Sequence, residues 1–268
     1  MQDKNQQGFA HVEVVLVLIV LVLIASAGWF VFKKSHKHNS ARVSQSQPAN
    51  QTQTDEPLAL KSIGFNLDYY NPATNHAGDM VFTHEDHDLG MTHMIFADFG
   101  IQDVRSPNDA SKRNPQPTFV LPLGTKVHSL VDGVVVNVQS LYSSDYTIWV
   151  SSHEGSKYIY ETEHVDNPLV KKGEHVKGGQ IIGEVSHHDS QYHPGFGIVE
   201  IGILNPQPNG QASHICPFHY LDPSIKADIQ KKILNVHQAW MEYINMPKLY
   251  DDAHSAEPGC YSLDPVNG

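Results

Sequence analysis

The chain has 268 residues, with 18 basic and 29 acidic side chains and a formal net charge of −11. This balance excludes a whole-chain electrostatic case for binding nucleic acid, which needs basic surface to replace phosphate counterions. Apolar residues at 40% and aromatic residues at 9% exclude a wholly disordered chain. Two cysteines are too few for a disulfide scaffold or a four-thiolate zinc site, whereas 18 histidines raise the question of a metal site.

An apolar segment near the start of the chain predicts a membrane span. Residues 14–25 are apolar without a break, and only Ser26 and Gly28 interrupt the run before Phe32. At 1.5 Å per residue this run is roughly 29 Å long, about the thickness of the hydrocarbon core of a bilayer. We therefore expect a transmembrane helix over residues 9–32.

The residues before this span resemble the leader of type IV prepilins. A short polar segment ends at Gly8, Phe9 follows, and Glu13 is the fifth residue after the glycine. The resemblance implies cleavage after Gly8 and a new amino terminus on Phe9 that neutralises the glutamate of a neighbouring subunit. The alternative is an ordinary signal anchor whose Glu13 lies at the level of the lipid headgroups.

The basic residues around the span favour the opposite orientation from the leader. Lys33, Lys34, Lys37 and Arg42 follow the span, while only Lys4 precedes it, so the positive-inside rule places the C-terminal part in the cytoplasm. A recognised leader fixes the route of export and outweighs this bias. We expect a single-pass membrane protein with an extracytoplasmic C-terminal domain.

Residues 33–57 are predicted to be a disordered linker. The segment is dominated by Ser, Gln, Asn and Thr and has almost no aliphatic residues. It cannot bury enough apolar surface to offset its chain entropy, and it would act as a tether with a typical reach of roughly 25–30 Å.

The region from Phe119 to Ile203 has the pattern of an all-β domain. Short β-branched runs alternate with glycine turns, and Asp132-Gly133 suits a tight turn that needs a positive φ. The region resembles the lysostaphin-type zinc metallopeptidases over about residues 90 to 203, through these segments: Pro122-Leu-Gly-Thr-Lys-Val127, Asp132-Gly-Val-Val135, Tyr158-Ile-Tyr160 with His164, and Val170 to Gly183.

This resemblance implies a duplicated-hybrid-motif β-sandwich. The segment from Val170 to Gly183 also occurs in biotinyl and lipoyl carriers, but no exposed hairpin lysine beside a methionine is present to be modified. The fold class is therefore predicted as mainly β.

The same resemblance implies a zinc site of known pattern. The family holds zinc with the His and Asp of an HxxxD motif and the second His of a late HxH motif, and its other histidines serve as general base or oxyanion stabiliser. Here the first candidate pair is His93 and Asp98, which are five residues apart instead of four. In a continuous strand they would point to opposite faces unless a bulge lay between them.

The late motif departs further from the family. Aligned on Glu200, its two histidine positions hold Phe196 and Ile198. His164, four residues after Tyr160, is the remaining candidate for a catalytic histidine. Zinc binding is therefore possible, but we expect that it has been lost.

Other histidines could replace the missing ligands. Two groups lie close to aspartates: His84, His87 and His93 fall within ten residues, and His187, His188 and His193 fall within seven. His193 is the candidate third ligand. The alternative is that these are solvated loop histidines beside acidic residues.

The C-terminal part predicts one helix packed on the sheet. Asp222 and Pro223 form a helix start, and Pro247 marks its end. One apolar stripe follows: Ile225, Ile229, Ile233, Val236, Trp240 and Ile244. Cys216 and Cys260 flank the helix, and we predict that they form a disulfide.

Three functions remain open. The first is a membrane-anchored envelope protein whose peptidase-like domain binds or regulates at the peptidoglycan, or at an envelope protein, without hydrolysis. The second is an active zinc endopeptidase of wall peptides with displaced ligands, and the third is a pilin-like structural or minor pilus subunit. The predicted organisation is a leader (1–8), a transmembrane helix (9–32), a linker (33–57), a β domain (58–222) and a helical extension (223–268).

Overall fold

The computed structural model describes residues 57–84, 93–103, 108–188, 190, 194–206 and 212–267. The predicted leader and membrane span lie outside these residues, as does the predicted linker except for Pro57. Within the described part of the chain, no helix is long and apolar enough to cross a membrane.

The described residues are mainly β with one α-helix, as predicted. The strands are β1 (His76–Ala77), β2 (Met80–Val81), β3 (Phe96–Ala97), β4 (Thr118–Pro122), β5 (Lys126–His128), β6 (Gly133–Ser140), β7 (Tyr146–Ser151), β8 (Ile159–Asp166), β9 (His175–Val176), β10 (Ile181–Val185), β11 (Phe196–Pro206), β12 (Ala212–Ile215) and β13 (Val266–Asn267). A 3-10 helix spans Pro217–Tyr220, and the α-helix, α1, spans Pro223–Tyr243.

Strand β11 organises the sheet. Its first half pairs with β4, its middle pairs with β8, and its end pairs with β12, all antiparallel. The main path of the sheet runs β13-β12-β11-β8-β7-β6-β9. Two branches leave this path: β4 pairs with β11 and with β3, and β10 pairs with β8 and with β5. The finer assignment to a duplicated-hybrid-motif sandwich stays a prediction.

Helix α1 begins where local chemistry predicts. The Asp222 carboxylate accepts hydrogen bonds from the Ser224 backbone N–H at 2.9 Å and from its hydroxyl at 2.6 Å. Pro223 has no backbone N–H, so it leaves no donor unsatisfied at the first helical position. The helix ends at Tyr243, four residues before the predicted stop at Pro247.

The predicted stripe on α1 faces the core. Ile233, Val236 and Trp240 are buried among residues of the β domain, and the Phe82 ring meets the Trp240 ring edge-on at 5.0 Å. The Trp240 indole N–H donates to the His93 carbonyl at 2.7 Å. The helix is therefore part of the same core as the sheet.

The predicted disulfide between Cys216 and Cys260 is confirmed. Both cysteines are buried, and Cys260 lies in a segment that pairs with Phe99 next to β3. Residues 223–268 also return to the sheet, because Val266–Asn267 pairs with β12. The extension thus contributes a strand as well as the helix.

Candidate functional site

A backbone irregularity places His164 in the middle of the sheet. His164 lies within β8 but has a φ of 59°, in the left-handed region that non-glycine residues rarely adopt. The pairing of β7 with β8 shifts register between Tyr146 and Ile148, beside this residue. Such a bulge changes the direction in which a side chain points. The His164 ring lies near enough to Glu200 and Glu163 for their charges to affect its pKa.

His164 is held by a buried carboxylate. Its Nδ1 lies 2.7 Å from Asp145 Oδ2, and the Ser186 hydroxyl donates to the same oxygen at 2.6 Å. The Ser143 hydroxyl donates to the other Asp145 oxygen. Burial opposes charge on Asp145, but the hydrogen bonds from His164, Ser143 and Ser186 outweigh it and hold the pKa of Asp145 well below its usual value.

The same arrangement favours a charged imidazole. Burial alone would lower the pKa of His164, but the hydrogen bond to Asp145 and the charges of Glu200, Asp145 and Glu163 raise it above its usual value. The His188 ring stacks on His164 with centroids 4.2 Å apart. The surroundings therefore orient His164 and favour its protonated form, which suits binding an anion or donating a proton.

Three glutamates lie on one face of the sheet beside His164. Glu200 pairs directly with Glu163 across β8 and β11, and Glu161 is two residues from Glu163 on the same face. Glu161 accepts from Thr147, Trp149 and Gln116, at these distances: 3.0 Å from the Thr147 hydroxyl, 2.6 Å from the Trp149 indole and 3.0 Å from the Gln116 amide.

Glu163 is the partly exposed member of this acidic face. Burial, together with the charges of Glu161 and Glu200, raises the pKa of Glu163 to about 7. A carboxyl whose pKa is raised in this way by burial and neighbouring charges is typical of a functional cleft. The acidic face therefore favours a ligand that brings positive charge or a hydrogen-bond donor.

The late-motif positions on β11 carry no metal ligand. Ile198 is 2% exposed and pairs with Val120 on β4, while Phe196 pairs with Pro122. Hydrocarbon side chains offer no donor atom, so the residues present do not fit the zinc ion that the resemblance implies.

The HxxxD pattern has an alternative position at residues 114–118, which end on β4 beside β11. The side chain next to Glu200 on the neighbouring strand is Thr118, whose hydroxyl donates to Glu200 at 3.0 Å. Four residues earlier stands Asn114, so the His-x-x-x-Asp spacing here is occupied by Asn and Thr. Sequence reasoning missed this segment, because it searched for the histidine and aspartate themselves.

The expectation for His93 and Asp98 rested on a continuous strand, and the structure does not contain one. Strand β3 is only Phe96–Ala97, and His93 precedes it with a φ of 62°. Asp98 lies instead beside His237 on α1, with Asp98 Oδ1 and His237 Nε2 3.4 Å apart. The side chains that group with Asp98 are those of His237 and Asp252, and His93 is not among them.

The histidines at 187, 188 and 193 lie in three different situations. His187 is exposed, and its Nδ1 lies 2.7 Å from Asp166 Oδ2. His188 stacks on His164, so it joins the site as a packing partner of that ring. His193, the candidate third ligand, lies outside the described residues.

The main site residue that sequence reasoning missed is Asp145. It precedes β7 and is 19 residues from His164 in the chain. The signal that was available is an aspartate at the end of a Tyr-Ser-Ser turn directly before a predicted strand, but nothing in that pattern names its partner.

The His164–Asp145 pair predicts a defined pH dependence of stability. A raised histidine pKa stabilises the fold below about pH 6.5, and the contribution is lost as the pH rises through the pKa of folded His164. A lowered aspartate pKa stabilises above about pH 4, and that contribution is lost in acid. We expect the His164→Gln variant to show a flatter decline of the free energy of unfolding above pH 6.5 than the parent chain, measured by urea unfolding.

The matched control is His187→Gln, which removes an exposed histidine at the same distance from a carboxylate. Its pH profile should follow that of the parent closely, since solvent screens an exposed pair. Parallel profiles for the parent and His164→Gln would contradict the prediction.

Comparisons with known proteins point to the same family as the sequence motifs. Residues 117–202 match the family model described as Peptidase family M23. Over 66 residues the chain is 38% identical to the peptidoglycan DD-endopeptidase ShyA of Vibrio cholerae, a match that covers 24% of this chain and 15% of that protein.

Solved structures of lower similarity were also found. The catalytic domain of the prophage-encoded M23 protein EnpA from Enterococcus faecalis is 22% identical, covers 46% of this chain and 88% of its own, and has a TM-score of 0.33. Lysostaphin from Staphylococcus simulans is 21% identical, covers 52% of this chain and 54% of its own, and has a TM-score of 0.35.

Proposed function

We propose that this protein is a membrane-anchored, extracytoplasmic envelope protein whose M23-like domain binds peptidoglycan without hydrolysing it. The observation that carries the proposal is the replacement of the late-motif histidines by Phe196 and Ile198, with Ile198 buried against Val120. The local match to a peptidoglycan endopeptidase supports the class of ligand.

The face beside the lost metal site keeps groups that can bind a peptide. The raised pKa of His164 favours its protonated form, which can hold a carboxylate, while Glu163, the partly exposed carboxyl of the acidic face, can hold an amino group. Wall peptides carry both kinds of group, so the ligand would be recognised by its charged ends. Without a metal to polarise the scissile carbonyl, binding does not lead to cleavage.

The Cys216–Cys260 disulfide supports a location outside the cytoplasm, because disulfides persist mainly in oxidising compartments. The apolar run over residues 14–32 supports a membrane anchor, and the leader ending at Gly8 supports entry by the prepilin route.

The test is wall binding and wall hydrolysis by the same sample. Full-length protein in mild detergent should co-sediment with purified peptidoglycan and release no soluble fragments, because a metal-dependent step typically contributes several kcal/mol that the chain has lost. Glu163→Gln should weaken binding several-fold, whereas Glu174→Gln, which changes an exposed glutamate outside the acidic face, should not.

Release of fragments that is abolished by His164→Ala would show a rebuilt active site and overturn the non-hydrolytic proposal. Failure of the parent protein to sediment with peptidoglycan would overturn the choice of ligand. Each outcome therefore rejects a different half of the proposal.

The leader makes a separate prediction. Amino-terminal sequencing of the membrane-extracted protein is expected to begin at Phe9, because the prepilin route cuts after Gly8 and leaves the apolar run attached. A start at Met1 would favour the ordinary signal anchor, and a start beyond Phe32 would mean that the apolar segment is removed.

A further inference from the structure

A buried polar cluster lies on the opposite face of β4 from the acidic face. Thr118 and Glu200 share one face, while Phe119 points to the other, where its ring stacks on Phe96 at 4.5 Å. The His237 ring lies 5.0 Å from the Phe96 ring on this second face. The cluster of His237 with Asp98 and Asp252, hereafter the helix-face cluster, is thus separate from the His164 site.

The helix-face cluster is enclosed by the protein. His237 is fully buried, Asp98 is 5% exposed, and the Asp252 side chain is 24% exposed. The Tyr250 ring stacks on the His237 ring with centroids 3.9 Å apart and an angle of 4°. This stacking fixes the plane of the imidazole.

The hydrogen bond to Asp252 orients the imidazole. His237 Nδ1 lies 2.7 Å from Asp252 Oδ1, and the carboxylate accepts the Nδ1 proton. Burial opposes a charge on His237, but the charges of Asp98 and Asp252 raise the pKa of the ring. A cation would displace the Nε2 proton, and the neutral ring then presents its lone pair there. A carboxylate behind a histidine in this way is the usual outer partner of a metal-binding imidazole.

The side of the ring facing Asp98 has unsatisfied groups. Asp98 Oδ1 and His237 Nε2 are 3.4 Å apart, both are buried, and neither has a hydrogen-bond partner in the described structure. The two atoms face each other as a close pair without a hydrogen bond of good geometry, and a cation between them would satisfy both.

Distance and charge both fit a small divalent ion. Two ligand atoms that each lie about 2.1 Å from a tetrahedral ion are about 3.4 Å apart, which matches the separation of Asp98 Oδ1 and His237 Nε2. The carboxylates of Asp98 and Asp252 would balance the two positive charges, so the buried group would be neutral with a neutral imidazole.

We propose that Asp98 Oδ1 and His237 Nε2 bind a divalent cation of the zinc class, with Asp252 as the positioning residue that orients His237. The site ties three segments together: the end of β3, helix α1 and the segment that precedes the disulfide. It does not depend on the proposed function, because it lies on the other face of β4.

The experiment measures zinc in the full-length protein, purified in mild detergent, stripped with chelator and titrated with zinc alone. The parent is expected to bind one zinc per chain and to gain thermal stability on zinc addition. Asp98→Asn keeps the shape of the side chain but should abolish both the binding and the stability gain. Asp252→Asn should weaken zinc binding about 10–100-fold, as loss of an orienting carboxylate does at other metal sites.

The control is His164→Gln, which alters the other face and should leave zinc binding unchanged. Thermal unfolding of each variant without zinc checks that it still folds. Absence of saturable zinc binding by the parent, or full binding by Asp98→Asn, would overturn this inference. Zinc binding lost only in His164→Gln would overturn it too, and would place the metal on the acidic face, against the proposed function.

Discussion

Replacing Cys216 and Cys260 together with alanine is expected to lower the free energy of unfolding by about 4 kcal/mol. The two cysteines are 44 residues apart, so the bond removes a long loop from the unfolded ensemble. Both are buried, so the truncation also removes packing, although the alanine methyl groups occupy part of the space. Urea unfolding of the oxidised parent and of the double variant, compared by their midpoints and slopes, measures the difference.

Two backbone hydrogen bonds attach the segment around Cys260 to the sheet independently of the disulfide. The Phe99 N–H donates to the Gly259 carbonyl at 3.1 Å, and the Tyr261 N–H donates to the Phe99 carbonyl at 2.8 Å, so the segment has other attachments to the sheet. A loss below about 1 kcal/mol, within the range of one such hydrogen bond, would mean that these attachments dominate. Thiol labelling of the denatured, unreduced parent should find no free cysteine.

The second large effect is expected for Gly197→Ala in β11, with a cost of about 3 kcal/mol. A Cβ at this position would lie 1.8 Å from the Ser186 carbonyl oxygen, which is backbone and cannot move aside cheaply. Ser186 also donates its hydroxyl to Asp145, so a displaced segment would loosen the carboxylate that holds His164. We expect lower stability and, for the peptidoglycan ligand proposed above, weaker binding.

The control for Gly197→Ala is Gly155→Ala. Gly155 has a φ of 80°, and a Cβ there would meet nothing within 4 Å, so only backbone strain of about 1 kcal/mol is expected. Thermal and urea unfolding of the two variants give the comparison. Equal destabilisation would show that the close approach of Gly197 to Ser186 carries no special cost.

The elements that could be predicted from the sequence are those whose cause is local. The start of α1 follows from the hydrogen-bonding chemistry of Asp222 and the fixed φ of Pro223, which act within two or three residues. Its buried face follows from a repeat of three and four residues that any amphipathic helix shows. The chemistry of positions 196 and 198 is also readable from the sequence, because Phe196 and Ile198 lack donor atoms in any fold.

Other features depend on how distant segments meet. The strand-alternation argument for His93 and Asp98 does not apply in the structure, because β3 is two residues long and His93 has a left-handed backbone. Strand alternation applies only where strand pairing persists, and pairing is decided by the neighbour, here β4.

The sequence by itself determined the predominance of β-structure, the helix with its apolar stripe, the pair of cysteines and the absence of the late-motif ligands. Only the tertiary structure decided which acid each histidine meets. Asp145 reaches His164 through a bulge between β7 and β8, and Asp98 lies beside His237 because the His237 ring on α1 packs against Phe96 of β3. The physical reason is that the packing of the core decides which charged or polar groups come close to one another, and spacing along the chain does not set that distance.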